Sequence, residues 1–66
     1  MITYLIKSLP ANTTVDSVEL ECTRKRDNAI LLAKQYAKLY YKDTIVVEKY
    51  NDLDYIETIW STYGGK

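Results

Sequence analysis

The sequence predicts a small α+β domain in the order strand, strand, helix, strand, strand, with one helix packed on one face of a mostly antiparallel four-stranded sheet. Three observations carry this reading. Four segments either alternate apolar and polar residues or are rich in Ile, Val and Tyr. One segment repeats apolar residues every three and four positions. A chain of 66 residues, 47% hydrophobic and 27% charged, has globular composition and room for one domain. We place that domain at residues 1–63, with a flexible tail at 64–66.

Residues 2–9 make the first strand. Ile2, Tyr4 and Ile6 share one face; Thr3, Leu5 and Lys7 share the other. Pro10 to Thr14 is a turn-rich break. Residues 17–23 alternate Val18, Leu20 and Cys22 against Glu19, Glu21 and Thr23. That pattern predicts a half-buried strand whose core face includes Cys22, as a small inert hydrophobe. A helix over 27–42 is expected next, with Asp27 or Asn28 as its cap. Its inner stripe is Ala29, Leu32, Ala33, Tyr36, Ala37 and Tyr40; Lys34, Gln35, Lys38, Lys42 and also Leu31 fall opposite.

Residues 44–50 and 53–62 form the last two strands around an Asn51-Asp52 turn. This turn pairs Lys49 with Asp54, Glu48 with Tyr55, Val47 with Ile56 and Val46 with Glu57. It sends Ile45, Val47, Ile56, Thr58 and Trp60 to the core. Val46, Glu48, Tyr50, Leu53, Tyr55, Glu57 and Ile59 then point outward, since a one-residue slip would bury Glu48 and Glu57. The first and third strands are the most apolar and belong at the centre. That favours spatial order 2-1-3-4 over 2-1-4-3, which would set strands one and four parallel at the centre.

The composition argues against an enzyme. There is no His, so a Cys–His or Ser–His pair within the chain is impossible. The carboxylate pairs Glu19/Glu21 and Asp52/Asp54 alternate along strands and face solvent, where they make poor general acids. No Gly-rich phosphate loop occurs. Cys22 is the single cysteine, which excludes an internal disulfide and a zinc set. No cofactor and no metal are expected. Asn12-Thr13-Thr14 matches a glycosylation sequon without consequence in a cytosolic chain. The N-terminus lacks a basic region and a cleavage motif, and the apolar runs are too short for a bilayer. A cytoplasmic location is expected, with no membrane contact.

The net charge is zero, but the charges are segregated. Residues 1–22 sum to −2 and residues 43–66 to −3, whereas residues 23–42 sum to +5. The positive segment holds Arg24, Lys25, Arg26, Lys34, Lys38 and Lys42 against Asp27 alone. One reading is a nucleic-acid contact along the exposed helix side. The other is a solvated face, with the arginines pairing Glu19 and Glu21; zero net charge favours it. Aromatic content points elsewhere: seven Tyr, one Trp and no Phe. Leu5, Val46, Glu48, Tyr50, Leu53, Tyr55, Glu57 and Ile59 are expected on the sheet face away from the helix. Such a Tyr-rich patch suits a protein interface.

Gly64-Gly65 after a strand, together with this element order, resembles the ubiquitin-like carriers of the β-grasp fold, although Lys66 follows the glycines. In size and element order the chain also resembles the many small proteins of bacteriophages and mobile elements. That resemblance implies an inhibitor or accessory protein acting on a larger host protein in the host cytoplasm. The leading expectation is therefore a non-enzymatic protein-binding module, acting on a larger protein or as a homodimer. Nucleic-acid binding through the basic helix is the alternative, and a ubiquitin-like carrier the remote one.

Overall fold

The computed structural model describes residues 1–9 and 17–62. Its elements are β1 (Ile2–Leu9), β2 (Val18–Thr23), α1 (Arg26–Leu39), β3 (Thr44–Asn51) and β4 (Asp54–Ser61). Neighbouring strands are antiparallel throughout, in the order β2-β1-β3-β4. The fold is thus the expected α+β arrangement with order 2-1-3-4, and the parallel-centred alternative falls. The Pro10–Thr14 break, the Asn12 sequon and the Gly64-Gly65-Lys66 tail lie outside the described residues.

The core follows from the two central strands. β1 and β3 pair without interruption from Ile2↔Asn51 to Leu9↔Thr44. This register sets Ile6 beside Val47 and Ser8 beside Ile45 on one face. Ile6, Ile45 and Val47 are fully buried there, with Tyr4 beside them. From the helix come Ala29 and Ala33, both fully buried, flanked by the partly buried Leu32, Tyr36 and Ala37. A methyl side chain lets the helix backbone approach the sheet closely, so two alanines a turn apart suit this contact. Ser8, the buried polar residue of that face, donates its hydroxyl to Asp43 at 3.0 Å. Ile45 and Thr62 exchange two bonds, Ile45 N–H to Thr62 Oγ1 and Thr62 N–H to the Ile45 carbonyl, which ties down the end of β4.

Local readings fail where the chain adds a residue. β2 skips one position against β1, between Ile6↔Glu21 and Lys7↔Glu19. A bulge inserts one unpaired residue and reverses the facing of everything beyond it. Leu20 is that residue and still packs on the core. Beyond it, Cys22 lies opposite Leu5 and is exposed, contrary to its expected burial. Val18 is 43% exposed as well.

β4 departs twice. The turn is Asp52-Leu53, not Asn51-Asp52, because Asn51 pairs with Asp54 and Tyr50 with Tyr55. Asp52 sits at φ 55°, a left-handed conformation that short Asp side chains tolerate. Its N–H donates to the Met1 carbonyl, and its carboxylate takes the Met1 amine at 3.2 Å. Skips then follow at Ile56 and Ile59, giving Lys49↔Glu57, Glu48↔Thr58 and Val47↔Trp60. Ile56 is therefore 44% exposed, not in the core, and Thr58 is exposed opposite Glu48. Ile59, expected outward, packs against the core instead. Glu57 shares the side of Lys49 and Tyr4, not the open face.

The helix is shorter than expected. It starts at Arg26, after Lys25, with no side-chain cap from Asp27 or Asn28. Thr23 Oγ1 accepts the Lys25 N–H at 3.3 Å, and Asp27 supplies the negative charge that suits a first turn. Tyr40 closes the helix through its N–H to the Tyr36 carbonyl and is 44% exposed, not part of the inner stripe.

The alanine contact makes a clear forecast. Ala33→Leu should lower stability by about 1–3 kcal/mol through overpacking. Leu31→Ala, at a position 57% exposed, should stay within about 0.5 kcal/mol. Urea titration followed by circular dichroism reads both.

Candidate functional site

The helix covers one side of the sheet, and the other side is the larger candidate surface. β1 contributes Thr3, Leu5 and Lys7 to it; β3 contributes Val46, Glu48 and Tyr50. β2 adds Glu19 and Cys22, and β4 adds Tyr55, Thr58 and Ser61. Of the residues expected there, Leu5, Val46, Glu48, Tyr50 and Tyr55 are brought together. Leu53 stands at the turn, 94% exposed, and borders the same face beside Leu5 and Tyr50. Glu57 and Ile59 leave the set, as the bulges require. Val46 is itself 8% exposed, so its contribution to contact area is small.

A polar network orders the centre of this face. Lys7 Nζ lies 2.8 Å from Glu48 Oε1, and both side chains are 19% exposed. The Tyr50 hydroxyl donates to the same oxygen at 3.0 Å. Tyr50 meets Tyr55 edge to face, with ring centres 5.8 Å apart and planes at 75°. The Tyr55 hydroxyl is 2.8 Å from Thr58 Oγ1. Each ring is thus held by its neighbour and by its own hydroxyl, which limits the rotamer freedom that binding would have to remove. A shallow depression of about 240 Å³ beside them is lined by Leu5, Lys7, Cys22 and Tyr50, among others. Sequence reasoning missed Lys7, Cys22 and Thr58 here. Lys7 was legible, since it alternates with Leu5 on β1; the other two depend on bulges.

The basic residues sit elsewhere. Arg24, Lys25, Arg26, Lys34, Lys38 and Lys42 are all exposed. The expected pairing of the arginines with Glu19 and Glu21 does not occur: among the described residues these six cations form no ion pair. Glu21 instead accepts the Tyr36 hydroxyl at 3.0 Å, and Tyr36 stacks on Tyr40 with ring centres 6.2 Å apart. Lys42 lies over the Tyr41 ring, 5.8 Å from its centre. Lys34 and Lys38 line a groove between α1 and β4 with Leu31, Ala37 and Trp60.

Among the described residues no group of three or more His, Cys, Asp or Glu is placed to hold a metal ion. Nor is any helix of the described residues long and apolar enough to cross a membrane. Comparison with known proteins returns nothing: no family model fits the sequence, and no curated protein or solved structure matches it.

Two groups on these surfaces titrate above their ordinary values. The hydrogen bond to Glu48 raises the Lys7 ammonium above 10.5, against the opposing effect of burial. The hydrogen bond to Glu21 raises the Tyr36 phenol above 10.0, with burial acting in the same sense. Both therefore hold their protons longer in the folded chain. Their contribution to stability is complete below the unfolded values of 10.5 and 10.0 and is lost as pH rises through the folded ones. Glu48→Gln should flatten the Lys7 part of this alkaline decline. Urea midpoints between about pH 9 and 12 would show it as a shallower slope than the parent's.

The second expectation concerns Cys22. Exposed on the open face, it should react with a thiol reagent in native buffer at close to the rate of the urea-unfolded chain. Protection by orders of magnitude would mean that the β2 bulge is misplaced.

Proposed function

We propose that this chain is a non-enzymatic binding module that docks a larger protein on the open face of its sheet. The observation that supports this most is the Tyr50–Tyr55 pair. Two aromatic rings, ordered by Glu48 and Thr58, stand on a sheet face that no element of the described chain covers. Tyrosines of this kind combine contact area with a polar tip and lose little freedom on binding. Leu5 extends the apolar area towards β2, and the Lys7–Glu48 pair supplies a polar centre that fixes orientation. The absence of His from the sequence supports the non-enzymatic reading. An inhibitor or accessory protein of a phage or mobile element, working in the host cytoplasm, fits such a module.

A second reading has its own support. Six exposed cations without ion-pair partners among the described residues, set along α1 and the segments on either side of it, suit a phosphate backbone. Glu48 and Glu19 on the open face make that face the wrong one for nucleic acid.

Immobilised parent and Tyr55→Ser chains, exposed to lysate of the source cell with and without nuclease treatment, separate the two readings. Tyr55 is 53% exposed but gives up its edge-to-face contact with Tyr50, so the change should cost about 0.5–1.5 kcal/mol and leave the fold intact. A protein retained by the parent and lost by the variant supports docking on the open face. Retention of nucleic acid at low salt, abolished by changing Lys34, Lys38 and Lys42 to Glu, supports the alternative.

A further inference from the structure

We propose that the chain associates with itself head to tail. The β3–β4 turn of one copy, with Leu53 between Asp52 and Asp54, seats in the groove between α1 and β4 of the next. This goes beyond the docking reading above; Asp52 and Leu53 also border the open-face depression, and Tyr55→Ser below separates the two readings.

The two surfaces complement each other in polarity and charge. The turn offers a large apolar side chain at 94% exposure, flanked by two carboxylates. The Asp52 side chain is itself 76% exposed and shares one oxygen with the Met1 amine; Asp54 is exposed. The groove has a mostly apolar lining of Leu31, Ala37 and Trp60, and a volume of about 490 Å³. Lys34 and Lys38 stand on it one helical turn apart, and no carboxylate lines it among the described residues. Neither lysine has an ion-pair partner within the described chain. An apolar side chain between two carboxylates matches an apolar floor beside two ammonium groups.

A single copy cannot make this contact. Leu53 and Trp60 are separated along β4 by a run that spans roughly 20 Å at ~3.3 Å per residue, so the turn and the groove lie near opposite ends of the hairpin. The contact joins two different patches, so two copies either satisfy both turns and both grooves reciprocally in a closed pair or leave one turn and one groove free. The open arrangement grows into rings or chains, and the reciprocal one closes at a dimer. Pairing of β4 edges is the competing geometry. Two bulges in β4 interrupt the hydrogen-bonding row that such pairing needs.

Light scattering and sedimentation under reducing conditions test this. The mean mass of the parent should rise continuously from 7.7 kDa with concentration, up to about 1 mM, and fall as salt is added. Leu53→Ser should hold the mass at 7.7 kDa with an unchanged dichroism spectrum. The combined change Lys34→Glu with Lys38→Glu should do the same, and Asp54→Lys should weaken association. Mixing these last two variants should restore association, because the native turn of one then meets the native groove of the other. Tyr55→Ser should leave association unchanged. A parent that stays at 7.7 kDa throughout would overturn the proposal. Association that survives Leu53→Ser, or is lost in Tyr55→Ser, would overturn it too and place self-contact on the open face.

Discussion

The close seating of α1 on the central strands organises the whole molecule. Ala29 and Ala33 bring the helix backbone down onto Ile6, Ile45 and Val47, and all five are fully buried. β1 and β3 are the two strands that pair over eight positions without a bulge, so this patch is flat and regular where the helix meets it. A domain of this size has a thin core, and little stability remains if that contact is lost. The outer strands are anchored to it in turn: β2 through Leu20, β4 through Ile59 and Trp60.

The bulges explain how an irregular outer sheet coexists with a regular centre. Two of the three let an apolar residue reach the core out of phase with strict alternation. Leu20 and Ile59 do so, while Cys22 and Thr58 turn to the open face. The same irregularities interrupt the free edges of β2 and β4, the places where a small sheet most easily recruits a foreign strand. Packing and protection against edge pairing thus come from the same inserted residues.

Charge is divided between the two sides of the sheet. On the open face Lys7 and Glu48 neutralise one another and hold Tyr50 in place. On the helix side the lysines and arginines stay solvated, and Glu21 of β2 accepts the Tyr36 hydroxyl. The open face is therefore internally satisfied and rigid, while the helix side keeps unneutralised positive charge. These are different kinds of surface, and they suit different contacts.

Much of this was legible in the sequence. Period-two and period-three-to-four patterns placed all five elements, because burial of one face imposes those periods. The apolar content of β1 and β3 made them central, and Leu5, Val46, Glu48, Tyr50 and Tyr55 were correctly grouped on one face. What the sequence left open were the positions of the extra residues. A bulge costs little locally and leaves no clear mark in composition; it is chosen by whether Leu20, Ile59 and Trp60 can all reach the same core. Only the tertiary structure decides that. It therefore moved Cys22 outward, drew Ile59 inward, shifted the turn to Asp52-Leu53, and set Lys34 and Lys38 beside Trp60.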